Sequence, residues 1–340
     1  MRRSRLALFA CAMTMAPLLL CGGADLGRVA DATPQRAAVS PVVSATAPGP
    51  SPSPTPTARP PRPHKLDRKA LTRALDRYVG GRPVSLVMRD LTTGITYRYH
   101  ADRRFVTASC AKVDILMTLL LQRQRGSKGK RAPYRPLGAE DRRLADLAIR
   151  YSDNKATDRL WERVGGPGAV TAANRRFGLR DTRTSGGKCL DLYCWGITDT
   201  TADEQVRLLN NLVGTGGPLN AGNRAYVLGL MSKVIKEQAW GVSAAARKGD
   251  QVALKNGWQR RLAHGKLWAI NSIGRVRTDG HDWLIAVMSD HHATTGAGIA
   301  VVEHVVELAA REFRKTTPRT TAAEPSPTAD RSGADIGQPR

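Results

Sequence analysis

Acidic residues are scarce in this chain of 340 residues. Lysine and arginine number 53 against 29 aspartates and glutamates, which gives a net charge of +24 at pH 7. The excess persists between residues 65 and 314, where 42 basic residues face 24 acidic ones. The densest basic run, residues 123–131, holds no aromatic side chain on which a nucleic-acid base could stack. We therefore expect no nucleic-acid partner, and expect an anionic cell envelope or a carboxylate-bearing substrate to meet this charge.

Histidines are few and lack metal-ligand spacing. His304 and Glu307 share the last predicted helix without a further ligand close by in sequence, and His291 and His292 lie in a predicted loop without a partner motif. Tetrahedral zinc sites need three or four such ligands. The sequence therefore predicts neither a metal site nor a cofactor.

Cysteines are also few, since only three of the five lie beyond the first 24 residues. In an oxidising compartment Cys189 and Cys194 are expected to pair across a small loop, which leaves Cys110 buried beside Ser109. Spacing alone does not establish the geometry of such a bond.

Residues 1–24 are typical of a secretory signal peptide. Three arginines precede an apolar run from Leu6 to Leu20, and small residues follow it. The run is too short and one-sided for a membrane-spanning helix. Cys21 follows three leucines, as in bacterial lipidation signals, although the residue before such a cysteine is normally small. The sequence predicts a secreted or envelope-tethered protein and leaves lipidation at Cys21 open.

Proline, alanine, serine and threonine dominate the chain from Thr33 to Pro63 and again from Lys315 to Arg340. Such segments cannot bury enough apolar surface to fold. We therefore predict a disordered, proline-stiffened linker over 25–64 and a disordered tail over 315–340. One folded domain remains over 65–314, and we expect it to be a monomer.

Periodic patterns in this domain predict its fold. A helix over residues 66–79 comes first, followed by a β-hairpin that turns at Gly94. Helical patterns then continue to residue 234. Three strand-like runs and a last helix close the domain: Val252 to Lys255, Leu267 to Val276, Trp283 to Ser289 and Ala297 to Arg314. The predicted class is α/β (α+β), an antiparallel sheet flanked by helices with an all-helical lobe inserted between its first and last strands.

Ser109 and Lys112 stand at the start of a strongly apolar run, residues 105–122. If Ser109 begins a helix, the two side chains rise from one face within reach of each other. A serine hydroxyl is a poor nucleophile, and a lysine kept partly neutral by burial and a second cation can take its proton. The alternative interpretation is an N-cap serine followed by a solvated lysine.

Two further polar motifs follow along the chain. Ser152-Asp153-Asn154 lies between two helical patterns, where short polar side chains can turn into a cleft. Lys255-Asn256-Gly257 ends a predicted strand, and its glycine would let a substrate's backbone approach the strand edge. Taken separately, the first motif also fits a helix cap and the second a turn with a surface lysine.

Together and in this order, the SxxK, SDN and Lys-X-Gly motifs resemble those of the penicillin-recognising serine enzymes. The stretch YSDNKATDRLWERVGGPGAV is similar to the corresponding part of class A β-lactamases, as is the DLTTG hairpin ahead of FVTASCAK. The resemblance spans residues 66–314. It implies a serine hydrolase that works through an acyl-enzyme, with its site between the sheet and the helical lobe.

The resemblance also implies three catalytic residues. Ser109 would attack an activated carbonyl, Lys112 would help remove its proton, and Ser152 would relay a proton to the leaving nitrogen. The oxyanion would be bound by backbone N–H groups of Ser109 and of a residue near Gly257 to Gln259.

Four residues are implied in substrate binding by the same resemblance. Asn154 would hold the amide side chain of the substrate, and Lys255 would attract its carboxylate and help keep Lys112 neutral. Asn256 stands where the family has threonine or serine, and its amide is expected to donate to the carboxylate instead. Gly257 completes this side of the site.

The acid that removes the acyl group departs from the family pattern. Class A β-lactamases carry a glutamate in the loop after the helix predicted at 169–177, where it activates a water. Between residues 178 and 201 this chain has no glutamate. Asp191 is the candidate we retain, with a shorter side chain, while Glu204 in the next helix is expected to face solvent.

The sequence thus predicts a serine hydrolase that forms an acyl-enzyme on Ser109, with β-lactams as the expected substrates. Two alternatives stay open. One is a D-alanyl-D-alanine peptidase acting on the stem peptide of peptidoglycan, and the other is a penicillin-binding sensor that is acylated without turnover. The missing glutamate favours these two, whereas the intact motifs argue against a protein without chemistry.

Overall fold

A computed structural model describes residues 65–125, 136–185, 193–278 and 280–316. The predicted signal peptide, the linker and all but two residues of the predicted tail lie outside these ranges and stay predictions. Within the described ranges, no helix is both long and apolar enough to cross a membrane.

In the described residues seven strands form two antiparallel sheets: β1 (Val84–Asp90), β2 (Thr96–Tyr99), β3 (Arg104–Val106), β4 (Asp199–Thr201), β5 (Gln251–Arg261), β6 (Leu267–Thr278) and β7 (His281–His292). The main sheet has the order β2-β1-β7-β6-β5, so β5 is an edge strand. Strands β3 and β4 pair separately. Because β3 runs directly into the Ser109 turn, this small sheet fixes the approach to the nucleophile.

The part of the chain that the structure describes has eight α-helices, on the two faces of the main sheet: α1 (Arg68–Val79), α2 (Ala111–Arg125), α3 (Ala139–Arg150), α4 (Asn154–Val164), α5 (Gly166–Phe177), α6 (Ala202–Val213), α7 (Ala221–Met231) and α8 (Thr295–Phe313). Helices α1 and α8 pack on one face around Trp283 and Phe313. Helices α2 to α7 form an all-helical lobe against the other face, centred on the apolar α2. A strand or helix with one apolar face must bury it, and two layers of helices do so here.

Short polar residues and glycines define the helix ends. The Asp67, Asp153 and Thr294 side chains accept hydrogen bonds from backbone N–H groups in the first turns of α1, α4 and α8. Gly80 and Gly165 end α1 and α4 with positive φ angles of 56° and 93°. These caps define both ends of α4, which begins at the SDN motif.

The predicted fold class is confirmed, with the helical lobe inserted between β3 and β5. Two details of the prediction were wrong. Strand β5 continues to Arg261, so Lys255-Asn256-Gly257 lies within a strand instead of ending one. His291 and His292 end strand β7 and are not in a loop. In both cases polar side chains within a strand gave a loop-like sequence, although Lys255, Asn256 and His292 are buried.

Candidate active site

Ser109 lies in a 3₁₀ turn, Ala108–Cys110, between β3 and α2. Ala108 holds a left-handed φ of 47°, which bends the chain sharply before the serine. The buried Asn271 of β6 fixes this bend, because its Nδ2 donates to the carbonyls of Val106 at 2.8 Å and Thr107 at 3.2 Å. The main sheet therefore positions the nucleophile turn directly.

The Ser109 side chain is half-buried, and in the described part of the chain its hydroxyl has no hydrogen-bond partner. Strand β5 passes close to its backbone at Gly257. A Cβ atom at position 257 would lie 2.7 Å from the Thr107 carbonyl and 2.8 Å from the Ser109 nitrogen, so only glycine fits here. The Lys-X-Gly motif thus brings β5 against the nucleophile turn, and the expected approach of a substrate's backbone at this glycine stays a prediction.

Lys112 rises from the first turn of α2 and is fully buried. Its Nζ donates to the Ser152 carbonyl at 2.5 Å and to Asn154 Oδ1 at 2.8 Å, and lies 3.2 Å from Ser152 Oγ. The SxxK and SDN motifs, about 40 residues apart in sequence, therefore meet at this amine. The alternative of a solvated lysine is wrong.

The pKa of Lys112 is lowered to about 6, mainly by burial and in addition by the positive charge of Lys255. The carboxylates of Asp153 and Asp158 act in the opposite direction. At pH 7 the amine is therefore mainly neutral. A neutral amine has a lone pair and can accept a proton, which a solvated lysine at this pH cannot.

Lys255 lies on β5 and is fully buried. Its Nζ donates to Ser152 Oγ at 3.0 Å and to the Asn256 carbonyl at 2.8 Å. Burial lowers its pKa to about 8, so it keeps most of its charge at pH 7. Beside it, burial raises the pKa of the free thiol of Cys110 to about 12. Cys110 therefore stays a neutral thiol, buried next to Ser109 as predicted.

Ser152 joins the two lysines, since its hydroxyl lies within 3.2 Å of Lys112 Nζ and 3.0 Å of Lys255 Nζ. The residue has a left-handed φ of 58°, outside any helix or strand. Asp153 follows it as the N-cap of α4, with its Oδ1 2.6 Å from the Ala156 nitrogen. The cap thus holds the serine in a backbone conformation that points both its carbonyl and its hydroxyl at Lys112.

Asn256 does not take the position expected from the sequence. It is fully buried, and its Nδ2 donates to the backbone carbonyls of Gln238 at 2.7 Å and Trp240 at 3.0 Å. Both amide hydrogens are therefore used within the protein. Neighbouring residues of a strand point to opposite faces, so Asn256 points away from the Lys255 side. The expected hydrogen bond from Asn256 to a substrate carboxylate is wrong.

The acids considered for deacylation lie elsewhere or outside the described residues. Asp191 and Cys189 belong to the undescribed range 186–192, so Asp191 remains a prediction. Cys194 is disulfide-bonded, and its pairing with Cys189 also remains a prediction. Glu204 is 3 % exposed instead of facing solvent, because its Oε2 accepts from the Asp181 nitrogen at 3.0 Å.

Two residues that the sequence analysis missed adjoin Lys112. Trp195 is buried in the 3₁₀ turn Cys194–Ile197, with its ring centroid 4.8 Å from Lys112 Nζ. Its Nε1 donates to Asp158 Oδ1 at 2.8 Å. Asp158 follows Asn154 by one turn on α4, so helical spacing could have identified it. Trp195 offers no such signal, because its contacts come from distant parts of the chain.

One cluster of potential metal ligands occurs among the described residues, where the sequence predicted none. The ligand atoms of His264, Asp290 and His291 lie within 4.8 Å of one another. The Asp290 carboxylate already binds His264 Nδ1 at 2.8 Å and faces the Arg261 guanidinium at 3.8 Å. Because an arginine supplies the positive charge at this carboxylate, the cluster is accounted for without a metal.

A half-buried serine, a buried and mainly neutral lysine and a charged lysine lie close together where the helical lobe faces the edge of the sheet. This arrangement and the fold define the superfamily of penicillin-recognising serine enzymes. The chain itself belongs to the beta-lactamase enzyme family, whose model matches residues 67–135 and 135–313. These ranges include every motif residue described above.

Solved structures share the fold across almost their whole length. A β-lactamase from Burkholderia vietnamiensis aligns with a TM-score of 0.60 and 22% identity, covering 74% of this chain and 98% of that one. A PBP-A variant solved as an acyl-enzyme complex with penicillin G aligns with a TM-score of 0.59 and 19% identity, covering 73% and 97%. At such identities the likeness establishes the fold.

A curated relative from Mycobacterium tuberculosis, named "Putative lipoprotein LppW", is 27% identical over 203 residues. The match covers 58% of this chain and 60% of the relative. The relatives and the family model together support a serine hydrolase fold in this chain.

Proposed function

We propose that this protein is a secreted or envelope-tethered serine hydrolase that β-lactams acylate on Ser109. The observation that carries the proposal is the buried Lys112 amine, mainly neutral at pH 7, three residues after a serine whose hydroxyl has no hydrogen-bond partner among the described residues. A positioned base next to a serine is the requirement for a serine nucleophile. Membership of the beta-lactamase enzyme family supports the same chemistry.

In the proposed reaction Ser109 Oγ attacks the carbonyl carbon of the strained amide, and its proton passes to Lys112 Nζ. Backbone N–H groups of Ser109 and of a residue within 257–259 stabilise the oxyanion. The C–N bond then breaks, and the leaving nitrogen takes a proton relayed through Ser152. The product is an ester on Ser109, and Lys112 is neutral again because its proton has passed through Ser152 to the leaving nitrogen.

Two side chains are proposed to bind the substrate. Lys255, with a pKa of about 8, supplies positive potential for the substrate carboxylate through a site that water does not screen. Asn154 uses its Oδ1 for Lys112, which leaves its amide N–H groups for a carbonyl of the substrate's side chain. Gly257 contributes by its lack of a side chain.

The rate at which the ester on Ser109 is hydrolysed distinguishes a second candidate function from the first. Residues 178–201 contain no glutamate, and Glu204 is engaged with the backbone of Asp181. A slowly hydrolysed ester suits a D-alanyl-D-alanine peptidase that meets β-lactams as inhibitors, or a penicillin-binding sensor. Asp191 remains the proposed acid for the case in which deacylation is fast.

The location outside the cytoplasm is part of the proposal. Residues 1–24 carry the pattern of a signal peptide, and a linker rich in proline separates them from the folded domain. The relative from M. tuberculosis is named as a lipoprotein, which supports an envelope location and a role for Cys21 as an anchor.

The test is the intact mass of the purified protein after mixing with a chromogenic cephalosporin. We expect an adduct on Ser109 that is absent in Ser109→Ala and unchanged in Ser232→Ala, where an exposed serine with a local bond to Gly229 is removed. A transient adduct with released product identifies a β-lactamase, and a persistent one the peptidase or sensor. No adduct with penicillins, cephalosporins or carbapenems would refute the proposed function.

A further inference from the structure

Trp195 is held against the nucleophile turn by contacts on both sides. Its carbonyl accepts from Thr107 Oγ1 at 3.4 Å, and the Thr107 nitrogen donates to the Thr198 carbonyl at 2.8 Å. A Cβ at Gly196 would lie 2.9 Å from Gln259 Oε1, so this turn also lies against the side chain of Gln259 on strand β5. The 3₁₀ turn Cys194–Ile197 therefore contacts both the Ser109 turn and strand β5.

The indole ring covers one side of the Lys112 amine. The ring centroid lies 4.8 Å from Nζ, whereas a water bridging an amine and a ring face would need about 6 Å. The ring also stacks with the exposed Tyr193, with centroids 5.0 Å apart. Because Trp195 is itself buried, its indole separates this side of Lys112 from solvent.

The same indole occupies a carboxylate oxygen. Trp195 Nε1 donates to Asp158 Oδ1 at 2.8 Å, and Asp158 is close enough to Lys112 to raise its pKa. Among the described residues, the carboxylates with such an effect on Lys112 are Asp153 and Asp158. Asp153 is the N-cap of α4, so its Oδ1 is also occupied. Asp158 is therefore the carboxylate beside Lys112 that accepts a hydrogen bond from a tryptophan, which orients it and lowers the basicity of the oxygen that is bound.

Hydrolysis of an acyl-enzyme requires a water molecule and a base beside the ester. A water oxygen must add to the ester carbonyl carbon while one water proton passes to a base. The bond from carbon to Ser109 Oγ then breaks, and Oγ takes a proton back. The step consumes one water and needs no other reactant.

We propose that Trp195 sets the lifetime of the acyl-enzyme, by excluding water beside Lys112 and by holding the Asp158 carboxylate in a hydrogen bond. Trp195 is a positioning residue in this account, and Asp158 is a latent base. The inference rests on the proposed function, because it concerns the ester on Ser109. It would account for a long-lived ester on Ser109, which is the outcome expected for the peptidase or the sensor.

The test uses Trp195→Phe, which keeps a ring over Lys112 but removes the N–H that binds Asp158. Decay of the Ser109 adduct is followed by intact mass after excess cephalosporin is removed. We expect decay about a hundredfold faster than in the unaltered protein, the lower range for a general base. The double variant Trp195→Phe with Asp158→Asn is expected to return to slow decay. Trp161→Phe, the same change on α4, is the matched control.

A second measurement separates this role from a loosened structure. The decay rate of Trp195→Phe is expected to rise with pH and then level off, as for a step that needs a base in its unprotonated form, whereas the double variant lacks this rise. Thermal unfolding of each variant checks that the domain is intact. A faster decay without this pH profile would overturn the role of Asp158.

The outcomes also separate the inference from the proposed function. Trp195→Phe decaying at the unaltered rate overturns the inference and leaves acylation of Ser109 established. Rapid decay in the unaltered protein also overturns it, because the ester then turns over with Trp195 in place. Absence of any adduct in the unaltered protein overturns both.

Discussion

Replacing Lys255 by methionine would remove a positive charge from the site with little change of shape. The Nζ atoms of Lys255 and Lys112 lie 3.0 and 3.2 Å from the same Ser152 Oγ, so they are at most about 6 Å apart. Two unit charges at this distance repel by about 3 kcal/mol at an effective dielectric constant of about 20. One pKa unit corresponds to about 1.4 kcal/mol, so the pKa of Lys112 should rise by about 2.

The assay is the pH dependence of the acylation rate constant, measured in single turnovers with a chromogenic cephalosporin. In the unaltered protein the acidic limb is expected near the Lys112 pKa of about 6. In Lys255→Met it should move to about pH 8, which lowers the neutral fraction of Lys112 at pH 7 from about 90% to about 10%. The rate at pH 7 should fall about ninefold and recover in alkaline solution.

Lys255→Arg is the matched control, since it keeps the charge while changing the shape. Its acidic limb is expected to stay near that of the unaltered protein. If Lys255→Met slowed acylation equally at every pH with the limb unmoved, the electrostatic coupling of the two lysines would be wrong. Lys255 would then act only on the substrate.

Three further variants test the framework of the site. Lys112 has a pKa of about 6 in the fold against 10.5 for the free group, so between these values the unfolded chain binds the extra proton and the free energy of unfolding rises with pH. Lys112→Met should remove about 1.4 kcal/mol per pH unit of this slope, measured by urea unfolding between pH 6.5 and 9. Gly257→Ala should slow acylation at least tenfold and lower Tm, because its Cβ would clash with the nucleophile turn, whereas Gly216→Ala, with open space around it, should do neither. Asn271→Ala leaves two carbonyls without their donor and should lower the free energy of unfolding by about 2 to 4 kcal/mol, and an unchanged urea midpoint would contradict its role.

Local periodicity accounts for much of what the sequence predicted. The apolar run after Ser109 predicted a buried helix, and the spacing of Ser109 and Lys112 placed both at its start. The meeting of Ser152 and Lys255 with this helix was implied only by the resemblance to a family. These contacts span 40 and 103 residues, and no local pattern encodes them.

The wrong predictions for Asn256 and Glu204 both arose near the end of a strand or helix. The charged residues after Gly257 suggested that the strand had ended, because an edge strand needs no apolar side chains on its exposed part. With β5 drawn to its true length, alternation alone would have turned Asn256 away from Lys255. Glu204 likewise sits three residues after the N-cap Thr201, a spacing typical of a capping pair instead of a solvated side chain.

The left-handed backbone at Ala108 and Ser152 has a consequence for attempts to engineer this protein. Each position holds a residue with a Cβ in a conformation that glycine adopts more easily, at a cost on the order of 1 kcal/mol or more. Ala108→Gly should therefore make the protein more heat-resistant while it loosens the bend ahead of the serine. Selection for thermostability alone would favour glycine at these two residues and so disturb the site. Screens for more stable variants should therefore also select for activity.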